Sequence, residues 1–243
     1  MYSGSFAFTL AETLITIGMI GVIAALTLPT LMNSTNDKET VARVKKVRAT
    51  VNEAYGRAYA KYGPINTWFT ADDIADTSFK KRAVRIGQRM SEFLQVEKDC
   101  NTTLSGCFAS GNVKYLGGGN STDEINSSSL YYKMILSDGT SLAFSGWPGT
   151  YDGKPYYYVI FDIDGPIKGK NTAGIDNFNL WVFDSGVTTK AEGTHDLSSC
   201  KAGATRICTD WVIMYDNLDY LHIDSSGKCP NGTVLSDTNP TCN

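Results

Sequence analysis

The sequence predicts an α+β chain in which a long N-terminal helix packs on an antiparallel β-sheet head with disulfide-stapled loops. Three observations carry this. An uncharged run from Thr13 to Met32 passes into a stretch whose apolar residues recur at threes and fours. Later, aromatic and β-branched runs flank Asp138-Gly139, a strong short-range hairpin signal. Finally, the 6 cysteines fall into three local couples.

The helix comes first. At roughly 1.5 Å of rise per residue, the run from Thr13 to Met32 reaches about 30 Å, the thickness of a bilayer's hydrocarbon layer. Residues 8–32 are therefore expected to form a transmembrane or filament-core helix. Glu12 sits at the edge of that run, where a carboxylate left unpaired in lipid is costly, so it needs a partner. Gly18, Gly21 and Pro29 make this part breakable, with Pro29 the expected helix break. Beyond it, Val41, Val44, Val47, Val51, Tyr55, Ala58 and Tyr62 mark one apolar face, and Arg43, Lys45, Lys46, Glu53, Arg57 and Lys61 the other. Residues 33–63 read as an amphipathic spine ended by Gly63-Pro64, since glycine caps in a left-handed conformation and proline cannot continue the ladder.

Residues 64–243 read as one globular head. A second helical pattern covers Asp72 to Glu97 and carries a basic cluster at Lys80, Lys81, Arg82, Arg85 and Arg89, either a solvated face or a partner surface. Cys100 to Ser129, rich in Gly, Ser and Asn, reads as an irregular surface loop that buries little. Four strands are expected, at Leu130–Ser137, Thr140–Ser145, Tyr156–Asp162 and Phe178–Phe183, in a meander with one face on the spine. The run after Cys208 fits a strand or a short helix, with Trp211 in the core.

Composition narrows the function classes. A net charge of -3 leaves no electrostatic footprint for nucleic acid. Cys100, Cys107, Cys200, Cys208, Cys229 and Cys242 contain no CxxC, and His195 and His222 are the only histidines, so a zinc site has few ligands. Disulfides are the expected use. Fifteen pairings exist; neighbour pairing is preferred because each intervening loop holds residues that turn the chain. Bridges place the head in an oxidising compartment, whereas the basic residues following the apolar run would, by the positive-inside rule alone, place it in the cytoplasm. No hydrolase, metalloprotease or dinucleotide motif appears, so no enzyme is expected.

Phe8-Thr9-Leu10-Ala11-Glu12, followed by an apolar helix with Pro29, resembles the N-terminal signature of type IV pilin-like proteins, which include type IV pilins and type II secretion pseudopilins. The resemblance implies a leader of residues 1–7, cleavage by prepilin peptidase between Ala7 and Phe8, N-methylation of Phe8, and Glu12 as the assembly residue. It also implies other pilin or pseudopilin subunits and an inner-membrane assembly platform as partners, with the membrane as host before assembly. Physically, a neighbouring subunit's Glu12 can neutralise the new amine of Phe8 in a low-dielectric setting and set the axial stagger. The alternatives are pairing within its own chain or snorkelling to headgroups.

The segment from Asp162 to Asp176 is similar to a glycine-rich loop of pseudopilin-like heads. Asp162, Asp164 and Asp176 are hard oxygen ligands of the kind calcium takes. The other reading is a network of Asx turns in which these carboxylates accept backbone amides, with Lys168 and Lys170 neutralising the charge. The expectation is thus a filament subunit of a type IV pilus-like or type II secretion system, its head extracytoplasmic at the inner membrane and then in a periplasmic or extracellular filament. The alternative is a secreted or membrane-anchored extracytoplasmic binding module.

Overall fold

A computed structural model describes residues 9–103, 105–121, 124–167, 169–189, 197, 200 and 208–242; for 27–34 it describes the backbone alone. Helix α1 (Leu10–Tyr62) is followed by a 3-10 turn (Ile65–Thr67) and helices α2 (Ala71–Ala75) and α3 (Lys80–Ser91). Strands β1 (Val96–Asn101), β2 (Tyr131–Leu136), β3 (Ser141–Ser145), β4 (Gly149–Tyr151), β5 (Lys154–Asp162), β6 (Asn177–Phe183) and β7 (Gly186–Thr188) come next, then helix α4 (Cys208–Tyr215). The chain divides into two units, Met1–Glu39 and Thr40–Asn243.

In the first unit α1 is a helix that passes Pro29 as one element, so the expected break is not an interruption of the helix. Proline removes one hydrogen bond of the ladder and leaves the others in place. Among the described residues no helix is long and apolar enough to cross a membrane. The expected span over residues 8–32 is corrected to that extent. Glu12, Thr13, Thr16, Gly18 and Gly21 dilute the described part of the run, while Phe8 and the side chains of 27–32 lie outside the described residues.

In the second unit the periodicity of α1 holds. Val41, Val44, Val47, Val51, Tyr55 and Ala58 are buried in a core shared with α3 and the sheet. The polar face binds the head by ion pairs, Arg43–Asp164, Lys45–Asp216, Lys46–Asp138 and Lys61–Glu92. Exposed pairs of this kind stabilise by about 0–1 kcal/mol each, so they orient the helix more than they hold it. The helix ends as its sequence directs: Gly63 adopts φ 79° and its N–H donates to Tyr59 O, while Trp68 Nε1 donates to Gly63 O.

The helix expected over Asp72–Glu97 is three elements. Thr70 and Asp73 cap α2 reciprocally, and Asp76 then accepts the N–H groups of Ser78 and Lys81, turning the chain before α3 begins. Gly87 of α3 lies flush on the ring of Tyr132 in β2, which is what brings this helix onto the sheet.

The sheet has seven antiparallel strands in the order β1-β2-β3-β5-β6-β7, with β4 paired to β5. The four expected strands are β2, β3, β5 and β6, adjacent as a meander requires. Three further strands, β1, β4 and β7, correct the count. β1 is polar, without alternation, and its pairing with β2 slips twice; β4 folds back through an Asp152-Gly153 turn; β7 is brief. Both edges discourage further pairing, β1 by charge and irregular register, and β7 by brevity together with the Val187 N–H donated to Asn52 Oδ1 of α1.

Tyr132, Met134, Phe144, Val159, Phe161 and Leu180 face the helices. The opposite face is covered too, which corrects the reading of residues 100–129 as a loop with little to bury. Cys107, Phe108, Val113 and Ile125 from that loop form a second core with Tyr131, Ala143 and Ile160. These apolar residues are isolated among Gly, Ser and Asn, so no period announces them. Lys133, 1% exposed, pins the loop through its Nζ, which donates to Ile125 O, Asn126 O and Ser128 O at 3.2, 2.9 and 3.0 Å.

Candidate functional site: the exposed helix and the Asp162 to Asp176 loop

Two regions carry the residues singled out by sequence. At the start of α1, Thr9 N and Thr9 Oγ1 both donate to Glu12 Oε2, at 2.9 and 2.8 Å, and Glu12 N donates back to Thr9 Oγ1 at 3.2 Å. This is a capping box, the reciprocal arrangement that satisfies donors left open at a helix start. The Thr-x-x-Glu spacing is its sequence signal, and it is separate from the features that suggest an assembly role for Glu12. Glu12 therefore has a partner within its own chain, though it is Thr9 rather than an amine. Ala7 and Phe8, the expected cleavage and methylation positions, lie outside the described residues.

Beyond the cap, Leu10, Leu14, Ile15, Ile17, Met19, Ile20, Val22, Ile23 and Leu26 are exposed, Leu10 to 81%. They point in all directions round the helix, as a run without polar period must. Between them Gly18 and Gly21 are open, with no atom near the place a Cβ would take. Thr13 and Thr16 return their hydroxyls to the backbone, at Leu10 O and Glu12 O. The segment thus presents apolar side chains, two gaps and one carboxylate.

In the second unit the structure brings Asp162, Asp164 and Asp176 into one loop between β5 and β6. Asp162 Oδ1 accepts the N–H groups of Asp164 and Gly165, each at 3.0 Å. Asp176 accepts those of Lys170, Asn171 and Thr172. Asp164 is held by Arg43, whose Nη1 also donates to Ile163 O at 3.3 Å. Burial, with Asp176 adding repulsion, pushes the Asp162 carboxyl up to about 8. Burial also raises Asp176, against the pull of its three amide donors. Asp162 Oδ2 is buried without a hydrogen-bond partner, as is Ser141 Oγ on the residue paired with it across β3 and β5.

These carboxylates serve the turn. Among the described residues no group of three or more His, Cys, Asp or Glu is arranged to hold a metal ion. Asp162 and Asp176 accept backbone amides as the network of Asx turns has them, and Asp164 meets the Arg43 guanidinium. Lys168 lies outside the described residues, and Lys170 is exposed.

The remaining candidates are structural. The disulfides join neighbours, Cys100–Cys107, Cys200–Cys208 and Cys229–Cys242. The basic cluster of α3 is largely engaged within the head: Lys81 pairs with Asp72, Arg85 with Asp73, Arg82 donates to Ile74 O, and Arg89 lies over the rings of Tyr62 and Trp68. Trp211 is buried in α4, with Nε1 donating to Asn217 Oδ1. His222 is exposed and His195 lies outside the described residues. Comparison with family models, curated proteins and solved structures finds no match. What defines the chain is therefore its own architecture, an α+β head on a helix whose first unit leaves its apolar side chains uncovered.

Proposed function

We propose that the chain is a structural subunit of a type IV pilus-like or type II secretion pseudopilus filament. One observation carries this reading, the continuous exposed apolar surface from Leu10 to Leu26 on a chain whose head gathers most of its apolar residues in two cores and exposes the others singly. Apolar area in water costs about 25 cal/mol per Å² relative to burial, so such a helix is driven to be covered. Identical helices from other copies supply that cover, and Gly18 and Gly21 give them room for close approach.

In this reading prepilin peptidase cuts between Ala7 and Phe8 and the new amine of Phe8 is methylated. The subunit waits at the inner membrane until an assembly platform transfers it to the filament. Glu12 then exchanges, or shares, its bond to Thr9 for the amine of a neighbour. The disulfides support an extracytoplasmic head. Catalysis has no part in this role; the chain's work is to assemble.

Intact-mass and N-terminal peptide spectrometry on chain co-expressed with a prepilin peptidase tests the proposal. Loss of residues 1–7 with a methyl group on Phe8 is expected. A mature start near Leu26 would instead make the chain a secreted, disulfide-bonded binding module, and an uncut chain would make it a membrane-anchored one.

A further inference from the structure

The C-terminal clasp contains a chemically reactive pair. Asn231-Gly232 is the one asparagine–glycine step in the chain, and both residues are exposed. They form the tip of a hairpin. Gly232 N donates to Cys229 O and Cys229 N to Thr233 O, each at 2.8 Å, and Lys228 pairs with Val234 beyond them. Pro230 leads into the turn, and Gly232 closes it at φ 84°, the left-handed position that a three-residue hairpin loop gives to glycine. Nothing lies within 4 Å of the place a Cβ would take on Gly232, so no side chain shields the amide nitrogen that follows Asn231.

The Asn231 amide is tied through both of its heteroatoms. Its Oδ1 accepts the N–H of Thr233 at 3.0 Å, and its Nδ2 donates to Cys242 O at 2.9 Å. The second bond spans the Cys229–Cys242 bridge, which fastens the hairpin to the last residues. Those residues have supports of their own, Cys242 N donating to Asp219 Oδ2 and Asn217 Nδ2 to Pro240 O. Opening the bridge therefore releases the hairpin tip and leaves the terminal segment in place. This bridge is also open to attack: Cys242 is partly exposed, whereas Cys100, Cys107, Cys200 and Cys208 are buried, and thiol–disulfide exchange needs access to a sulfur.

We infer that Asn231 is a self-modification site, reacting with Gly232 through a cyclic imide, and that the Cys229–Cys242 bridge gates the reaction. Gly232 N gives its proton to solvent and bonds to Asn231 Cγ. The Cγ–Nδ2 bond breaks, and Nδ2 leaves as ammonia with a proton taken back from solvent. Water then opens the imide at one carbonyl or the other, which leaves an aspartate or, with the chain rerouted through Cβ, an isoaspartate. In the bridged fold Gly232 N–H stays on Cys229 O while Asn231 is held through Oδ1 and Nδ2, so the reacting atoms are kept apart. Either product puts a carboxylate oxygen where the Nδ2 donor met Cys242 O, acceptor against acceptor. The bond to Cys242 is not remade, and the change marks, one way, a clasp that has been open.

Mild reduction of the full-length chain tests it. Titration with a small thiol, followed by alkylation and peptide mapping, is expected to open Cys229–Cys242 before the two buried bridges. On incubation at mildly alkaline pH, molecules with this bridge open are expected to yield an Asn231 peptide about 1 Da heavier, split between aspartate and isoaspartate forms. Its formation should be about fivefold faster or more than in bridged molecules, the change in population that one lost hydrogen bond controls. The double variant Cys229→Ser with Cys242→Ser needs no reductant, leaves the other bridges closed, and is expected to convert at the same raised rate. Asn231→Gln, whose longer side chain closes the ring far more slowly, is expected to remove the mass change. Conversion no faster in open molecules than in bridged ones would overturn the gate, and no conversion at Asn231 in open molecules would overturn the site.

Discussion

Thr9 and Glu12 satisfy each other at the start of α1, each supplying a side-chain acceptor for the other's backbone N–H. The carboxylate that the filament reading assigns to register between subunits is therefore already occupied in the single chain. Two substitutions separate these roles. Thr9→Ala removes the cap and is expected to cost about 1 kcal/mol at the helix start, seen as roughly fivefold faster amide exchange in the first turn. Glu12→Gln keeps an acceptor of the same shape and is expected to change that exchange little while assembly into filaments is lost. Filaments of normal yield from Glu12→Gln would remove the charge from the mechanism.

Glycines on the two units should respond in opposite ways. A Cβ at Gly87 would lie 2.1 Å from Tyr132 Cδ1, so Gly87→Ala must push α3 off β2 and is expected to destabilise the head by about 1–3 kcal/mol in urea unfolding. At Gly21 nothing lies within 4 Å. Gly21→Ala should raise the helicity of the isolated subunit, by up to about 1 kcal/mol, yet reduce filament yield where helices of other copies approach. Equal filament yield would show that the gap is not used.

The head's response to pH follows from buried groups, Asp162 and, in the same direction, Asp176 below pH 8, and Lys133 above it. Asp162 holds its proton up to about 8 in the folded chain, against an ordinary value near 3.8. Between those values the folded state binds more protons than the unfolded one, so this contribution to stability is complete at low pH and is lost as pH rises to about 8, on the order of 1 kcal/mol per unit at most. Unfolding midpoints at pH 5 and pH 8 measure it, and Asp162→Asn is expected to flatten the difference. A midpoint that climbs over this range would contradict the assignment.

Lys133 acts in the adjoining window with the opposite sign. Burial pushes its amine down to about 8 from 10.5, so between these values the folded state holds fewer protons and stability rises with pH. These groups together predict a minimum near pH 8. Lys133→Met removes the upper limb and leaves three carbonyls without their donor, at a cost of about 1–3 kcal/mol. Hydrogen exchange should show the loss first in residues 105–121 and 124–128, where the loop lies over the second core.

Local pattern makes several features legible in the amino-acid sequence alone. The apolar spacing from Val41 to Ala58, the Gly63-Pro64 stop, the Asp138-Gly139 hairpin and the four expected strands follow from periods and turn chemistry, which act within a few residues. Neighbour pairing of the cysteines follows for the same reason, since short loops close at little entropic cost. β1, β4 and β7 are not legible in this way, because a short or polar strand exists through the strand it pairs with. Nor can sequence weigh the second core, whose Phe108, Val113 and Ile125 are gathered by the Cys100–Cys107 bridge and the Lys133 ammonium.

The uses of the charged residues were decided by tertiary structure. By itself the sequence determined that a run around Gly18 and Gly21 carries no charge and that one carboxylate, Glu12, stands at its edge. It also marked Asp162, Asp164 and Asp176 as oxygen donors, but whether such donors face a cation or the chain's own amides depends on how the loop closes. Here it closes over the carboxylates, and Arg43, more than a hundred residues away in sequence, takes Asp164. Hydrophobic period is a property of neighbours along the chain, whereas a charge takes its role from whatever folding brings within a few ångströms of it.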